Sequence, residues 1–297
     1  PKDKYHFLHG DITNIRTVEN FINEAEPDYI INFAAESHVD RSIEDPGVFI
    51  NTNIVGTYNL LFQSLDYFLK LKGSKKKNFR FTHISTDEVY GSLDYEDSPF
   101  IEKSPYRPNS PYSASKASAD MLLRSWFKTY NFPGIITNSS NNYGPWQNPE
   151  KLIPRFITSA IYGEPLPIHG NGSAARDWTH IEDTTNFLVS LIDKDLSKFQ
   201  GDVFNIGTDM SIPINKIANL VLDQFPNCAK IHIDDRPGQV ERHTCDSSKA
   251  RDLLDWKANK NLDDARIPAN AIEIIVNTDN AAAMTPSSVP AMTRANS

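Results

Sequence analysis

The residues able to do chemistry fall in two short stretches. His83-Ile84-Ser85-Thr86-Asp87-Glu88-Val89-Tyr90-Gly91 reads as a buried strand that turns polar where it leaves a sheet. Pro111-Tyr112-Ser113-Ala114-Ser115-Lys116 reads as the opening of a helix. Together they offer a hydroxyl, two carboxylates, a phenol and an ammonium. That set can support removal of a hydride, removal of a proton and protonation of a leaving group. Tyr112 and Lys116 are four apart, so on a helix they share one face. An ammonium beside a phenol stabilises the phenolate and lowers its pKa toward neutrality. A bare Tyr-x-x-x-Lys pair is also what an amphipathic helix edge looks like. The hydroxyls of Ser85 and Thr86 upstream favour the chemical reading.

Asp87 and Glu88 are adjacent, so in a regular strand they would point to opposite faces. They can serve one substrate only if the chain has already left the strand, which Gly91 and the loop after it suggest. Open α/β sheets place ligands at the carboxyl ends of their strands. Two carboxylates there can divide the work of acid and base if their surroundings push their pKa values apart. A solvated acidic turn is the plain alternative.

The elements that must position these groups follow a strand–helix rhythm. Thr13 or Asn14 can cap a helix running to about Ala25. Asp28 to Phe33 is a near-continuous apolar strand, as expected of a parallel sheet covered on both faces. Asp45-Pro46 opens a long helix carrying Phe49, Val55, Leu60, Leu61 and Leu65, and Lys75–Lys77 reads as a solvated basic loop. Phe79 to Ile84 is a strand, Tyr112 to Tyr130 a helix and Gly134 to Thr137 a strand, which together make βαβ units. After Asn141, prolines at 145, 149, 154, 165 and 167 break the pattern. A helix around Asp183–Ile192, a strand Val203–Ile206, a helix Ile214–Phe225 and a strand Lys230–Ile233 follow, as in a small substrate-binding lobe.

Composition narrows the partners. A formal net charge of −8 argues against nucleic acid, which needs a basic field. Two cysteines, Cys228 and Cys245, make no disulfide framework and suit a reducing, cytoplasmic setting. No apolar run approaches the ~20 residues a membrane helix needs. His38, His83, His169, His180, His232 and His243 show no paired metal-ligand spacing, so no metal is expected.

The Ser-Thr-Asp-Glu-Val-Tyr-Gly stretch at 85–91, followed by Tyr112-Ser-Ala-Ser-Lys116, resembles the extended short-chain dehydrogenase/reductase family, and within it the nucleotide-sugar 4,6-dehydratases. The likeness continues through Asn32–Ser42, Thr52–Thr57, Asn141–Pro145, Pro149–Pro154, Arg176–Trp178, Asn205–Gly207 and Asp235–Gly238. It implies a doubly wound, parallel, Rossmann-like α/β sheet with a smaller mixed α/β substrate lobe. It also implies NAD as cofactor and a nucleotide-diphospho-hexose, dTDP- or UDP-linked, as substrate. Tyr112 would take the proton of the sugar 4-hydroxyl, with Lys116 holding the phenolate and Thr86 bonding the same oxygen. Glu88 would remove the C5 proton and Asp87 would protonate the departing 6-hydroxyl. The resemblance places Asp11, Ile12, Ala34, Ala35, Ser37, Thr52, Tyr112 and Lys116 at the cofactor. It places His38, Thr86, Asn141, Lys151, Leu152, Arg176, Asn205 and Arg242 at the nucleotide sugar. The helices at 46–72 and 111–131 would form a homodimer face.

Two departures qualify the resemblance. The family opens with a strand and a Gly-x-x-Gly-x-x-Gly turn that receives the pyrophosphate at a helix N-terminus. Neither occurs here, and Gly170-Asn171-Gly172 lacks the flanking strand and helix. The expectation is a chain that starts at the sheet's third strand, around Tyr5–Leu8, and binds NAD weakly by itself. The domain reading is therefore an incomplete NAD-binding unit over 1–144, a nucleotide-sugar lobe over 145–256 with some return to the sheet, and a divergent, disordered tail over 257–297. A 4-epimerase, which needs the Tyr-Lys pair but no acid and base at 87 and 88, is the alternative enzyme. A fragment that only binds or dimerises is the alternative of another class.

Overall fold

The computed structural model describes residues 5–194, 198–235 and 237–262. The first helix starts where a side chain can satisfy its free amides. Asn14 Oδ1 accepts from Arg16 N and Thr17 N at 3.1 and 3.3 Å, and α1 runs Ile15–Ala25. β1 (Tyr29–Asn32) and α2 (Val39–Glu44) follow. The single long helix expected from Pro46 onward is a continuous rod in three parts: α3 (Pro46–Phe49), a π-helical segment Ile50–Gly56, and α4 (Thr57–Lys70). The lysines at 75–77, expected as a loop, form α5 (Gly73–Asn78) instead. Straight-chain side chains lose little rotamer freedom in a helix, so a lysine run winds readily once Gly73 turns the chain at φ 58°. β2 (Arg80–Thr86), a 3-10 turn Asp87–Tyr90, α6 (Pro111–Tyr130) and β3 (Gly134–Ser139) complete the first half.

Among the described residues the main sheet is parallel, in the order β1-β2-β3-β8, with β8 (Val203–Ile206) supplied from the second half of the chain. Neighbouring residues of β3 show why it is doubly wound. Ile136 packs with Val18, Ile22, Leu61, Phe81 and Leu123 on the α1/α4/α6 side. Ile135 packs with Phe187, Leu191, Phe204, Leu254 and Trp256 on the opposite side. Successive strand residues point to opposite faces, so a strand apolar at both positions needs helices on both. Gly134 lets α6 come close, because a Cβ there would lie 2.4 Å from Leu123 Cδ1.

The chain around Tyr5–Leu8 forms no strand, contrary to expectation. β1 pairs only with β2 among the described residues, so the 5–8 run has no ladder to join. Its Tyr5 and Phe7 stand 74% and 73% exposed. An isolated strand leaves its backbone donors and acceptors to water and gains no order.

The second half mixes short elements: β4 (Asn141–Tyr143), α7 (Leu152–Ile161), β5 (Leu166–His169), β6 (Ala175–Arg176), β7 (Trp178–His180), α8 (Ile181–Asp193), then, after β8, β9 (Ile212–Pro213), α9 (Ile214–Leu222), β10 (Lys230–Ile233), β11 (Arg242–His243) and α10 (Ser248–Leu254). Phe156, Leu166, Ile168, Trp178, Ile217 and Leu262 form its separate core. α8, β8 and α10 return to the main sheet, where Leu254 and Trp256 cover it. Residues 257–262, read from sequence as the start of a tail, are packed: Asn259 N and Lys260 N donate to Asp183 Oδ2 at 3.0 and 2.9 Å. The tail expected beyond them lies outside the described residues.

Candidate active site

Thr86 is the last residue of β2, and its side chain ends the strand. Thr86 Oγ1 accepts from Glu88 N at 3.3 Å and so caps the 3-10 turn Asp87–Tyr90. The turn removes the alternation that would have sent the two carboxylates to opposite faces. It closes at Gly91, φ 97°, where a Cβ would lie 2.4 Å from the carbonyl oxygen of Arg107. Only glycine fits there, and Arg107 N bonds Val89 O at 2.9 Å to hold the return of the loop.

Helix α6 is started by a reciprocal cap. Ser113 N donates to Ser110 Oγ and Ser110 N to Ser113 Oγ, both at 3.1 Å, with Pro111 in the first turn. This fixes Tyr112 and Lys116 on the face toward β2. Lys116 is buried and its Nζ donates to Ile84 O at 2.6 Å. The Tyr112 ring stands edge-on to Phe49 at 6.3 Å, and its phenol shares a hydrogen bond with Thr86. Thr86, Asp87, Glu88, Tyr112 and Arg176 are thus one cluster, linked by contact or by charge.

The electrostatics differ from the expectation in one respect. The Tyr112 phenol is pushed up, first by burial and then by the neighbouring Glu88 charge, with a smaller opposing effect from Thr86. The Lys116 ammonium donates its hydrogen bond to the Ile84 carbonyl rather than to the phenol. Asp87 is pushed well above the ordinary carboxylate range, by burial first and then by Glu88 and Asp177, against a weaker pull from Arg176. Its Oδ2 has no hydrogen-bond partner. Glu88 is only half-buried. Adjacent carboxyls therefore sit in unlike surroundings, one fully buried and raised, the other half-buried.

The remaining predicted residues are placed as follows. Ala34, Ala35 and Ser37 line the segment leaving β1, beside the end of β2, and Ala34 N donates to Asn32 Oδ1 at 3.1 Å. Ser37 O accepts from Lys151 Nζ at 2.7 Å, and Lys151 is the residue before α7, which begins at Leu152. His38 caps α2 through Arg41 N at 3.4 Å, and burial holds its pKa below the usual value. Asp11 accepts from Thr13 N at 2.8 Å, and Ile12 packs on Gly56, where a Cβ would lie 2.7 Å from Ile12 Cδ1. Thr52 lies in the π segment. Asn141 begins β4 beside Trp178, and an Arg176 guanidinium nitrogen donates to Ala175 O at 2.9 Å. Two residues turn their polar atoms inward instead. Asn205 is buried, accepts from Tyr90 OH at 2.9 Å and donates to Phe100 O at 3.1 Å. Arg242 Nε donates to Asp94 O at 3.1 Å, and a second nitrogen of its guanidinium donates to Asp97 O. Both hold the 92–109 loop.

Sequence reasoning missed Asn53. From the π segment its amide bonds Glu36 N at 2.8 Å, Glu36 O at 3.0 Å and Ser115 Oγ at 2.8 Å, joining the strip after β1 to α6. A π segment often marks a functional site, but helical periodicity does not announce it. A dinucleotide would find hydroxyls, an ammonium and a floor of small side chains at the carboxyl ends of β1 and β2. These residues fit its ribose and nicotinamide end. No Gly-x-x-Gly-x-x-Gly turn occurs in the sequence to take a pyrophosphate. Among the described residues no cluster of His, Cys, Asp and Glu could hold a metal, and no helix is long and apolar enough to cross a membrane.

Known proteins are similar to this chain in sequence and in fold. The dTDP-glucose 4,6-dehydratase of Xanthomonas campestris pv. campestris strain B100 is 44% identical over 262 residues, covering 84% of this chain and 74% of that protein. The dTDP-glucose 4,6-dehydratase 1 of Escherichia coli K12 is 40% identical over 278 residues, covering 88% and 76%. The crystal structure of DesIV, a dTDP-glucose 4,6-dehydratase of Streptomyces venezuelae with NAD bound, superposes with a TM-score of 0.81 at 34% identity, covering 92% of this chain and 80% of that one. The UDP-glucose 4-epimerase of Thermotoga maritima superposes at 0.79 with 26% identity, covering 88% and 82%. The family model described as GDP-mannose 4,6 dehydratase matches residues 1–266, and the chain belongs to that family.

Proposed function

We propose that the protein carries out 4,6-dehydration of a nucleotide-diphospho-hexose, dTDP-glucose, with NAD as the recycled cofactor. The observation that carries this reading is the unlike pair at the end of β2. Asp87 is buried, its carboxyl pushed well above the ordinary range and left with an unpartnered oxygen, while Glu88 beside it is only half-buried. Tyr112 takes the proton of the sugar 4-hydroxyl, and Thr86, which already bonds the phenol, bonds the same substrate oxygen. Lys116 supplies the nearby positive charge. NAD, held by the 34–37 strip with Tyr112 and Lys116, would supply reversible hydride storage between C4 and C6. Oxidation at C4 acidifies the C5 hydrogen, which Glu88 removes as general base. Asp87 delivers its proton to the departing 6-hydroxyl, so water leaves and no outside reductant is used. Each such group contributes about 10²–10⁴-fold.

For the substrate's diphosphate, Lys151 and Arg176 are the proposed cations, since a guanidinium and an ammonium both bind phosphate oxygens. A homodimer through α3–α4 and α6 is supported by a row of half-exposed apolar side chains: Val55, Tyr58, Phe62, Leu69, Met121 and Tyr130. Two free thiols, Cys228 and Cys245, support a cytoplasmic setting.

The test is proton NMR of the chain incubated with NAD+ and dTDP-glucose. Loss of water and a 6-deoxy-4-keto sugar is the expected result. A C4 epimer, which the fold would also accommodate, overturns it. Titration with NAD+ decides separately whether the chain holds the cofactor unaided.

A further inference from the structure

One turn beyond Lys116 on α6 lies a carboxylate that the reaction scheme does not use. Asp120 is fully buried. Ser85 Oγ donates to its Oδ2 at 2.8 Å, and Tyr106 bonds it from the 92–109 loop. Its Oδ1 faces His83 Nε2 at 3.6 Å, and neither of those two atoms has a hydrogen-bond partner. The tautomer of His83 follows from the other side of the ring. Asn32 Oδ1 accepts from Ala34 N, so its amide nitrogen is the donor to His83 Nδ1 at 3.2 Å. His83 Nδ1 is then an acceptor, the ring proton sits on Nε2, and it points at Asp120. Burial keeps that imidazole neutral.

The line Ala34–Asn32–His83–Asp120 therefore runs from the strip after β1, across β2, to the catalytic helix. At its end stands Lys116, four residues before Asp120 on the same face. Burial pulls the Lys116 ammonium down, and the charge that opposes this is Asp120. Burial pushes the Asp120 carboxyl up, and Lys116, Ser85 and Tyr106 oppose it. The groups facing the pair are His83 and Ser85 on β2, Tyr90 in the 3-10 turn, Tyr106 from the loop, and Tyr112 with Lys116 on α6 itself. None of them is a second anion. A lone buried cation tends to lose its proton, whereas a paired one keeps it.

We propose that Asp120 is a positioning residue for the reaction: it is the counter-charge that keeps Lys116 an ammonium, and the bonds from Ser85 and Tyr106 fix that carboxylate against β2, with the His83 ring beside it. Its bearing on catalysis rests on the dehydratase reading, in which Lys116 must be positive while Tyr112 stands as the phenolate that takes the sugar's proton. Asp120→Asn preserves shape and removes the charge. In that variant Lys116 deprotonates at lower pH. The alkaline limb of the kcat profile moves down by about 1 pH unit or more, KM stays within about twofold, and Asp120→Glu restores the limb in part.

A second arm needs no activity. Asp120→Asn leaves a lone buried cation, so the double variant Asp120→Asn, Lys116→Met melts higher than Asp120→Asn alone. If the single variant does not fold, the double variant is expected to fold. An unmoved alkaline limb overturns the proposal. So does a double variant no more stable than the single one, or one that also fails to fold. If the wild-type chain makes no 6-deoxy-4-keto sugar, the dehydratase reading fails and the melting arm still decides the counter-charge.

Discussion

Asp87 and Asp177 are buried to the same degree, at 1% and 0% exposure, and the Asp177 charge helps raise the Asp87 carboxyl, yet their surroundings are opposite. Asp177 is saturated with donors. Thr208 N reaches its two oxygens at 3.1 and 3.0 Å, Asp209 N reaches Oδ2 at 3.1 Å, and the Thr208 hydroxyl adds another bond. Gly207 permits that approach, since a Cβ there would lie 2.4 Å from the carboxylate. Asp87 has one long bond from Thr86 at 3.5 Å and an oxygen with no partner. Burial lifts both carboxyls, but the donors restrain Asp177 to about 7, while Asp87 is left well above its ordinary value. The difference teaches that burial alone does not mark a functional carboxyl. A buried acid whose partners are all supplied by the fold is an anchor. One left short of partners is available to a substrate.

The comparison can be broken in several ways. Asp87→Asn is expected to lower kcat by about 10²–10⁴-fold with little loss of melting temperature, measured by steady-state turnover beside thermal unfolding. A folded variant with wild-type turnover would remove Asp87 from the chemistry. Asp177→Ala should do the reverse in stability. Orphaning the Thr208 and Asp209 amides costs about 1–3 kcal/mol, read from urea unfolding. A smaller, signed effect comes from pH. Folded Asp87 keeps a proton that the unfolded chain releases above the ordinary Asp value of 3.8, so wild-type stability falls as pH rises from there toward the raised folded pKa. Asp87→Asn does not titrate, so its stability relative to wild type improves between pH 5 and pH 8, by at most about 1.4 kcal/mol per unit. An unchanged gap would mean that Asp87 is ionised. The smallest effect belongs to a surface control. Arg41 and Glu150 pair at 2.7 Å with Arg41 largely exposed, and Arg41→Ala should change unfolding free energy by less than about 1 kcal/mol.

Much of the main sheet was legible because its signals are local. Asn14 and Ser110 mark helix starts by their own side chains, and β1 and β3 carry apolar residues at consecutive positions. The second half was less so. β6, β9 and β11 are two residues long and exist only because Ala175 pairs with Arg242 on one side and Pro213 on the other. Nothing in two residues of sequence encodes such a partner. The site divides in the same way. Thr86, Asp87, Glu88, Tyr112 and Lys116 stand in tight spacing and could be read. Asn53, Asp120 and Asp177 are scattered polar residues that look like surface until the fold buries them.

The sequence by itself determined which chemistry is possible. A hydroxyl and two carboxylates at a strand end, with a phenol and an ammonium one helical turn apart, are fixed by residue type and by the 3.6-residue period. Tertiary structure alone decided which protons those groups hold. The Asp87 carboxyl is pushed well above its ordinary range first because β2 and its neighbours exclude water from it, and the Tyr112 phenol is lifted first by burial and then by Glu88. Lys116 bonds Ile84 rather than the phenol because α6 lies directly on β2. Charge states depend on what surrounds an atom in space, and that is settled only when distant segments pack.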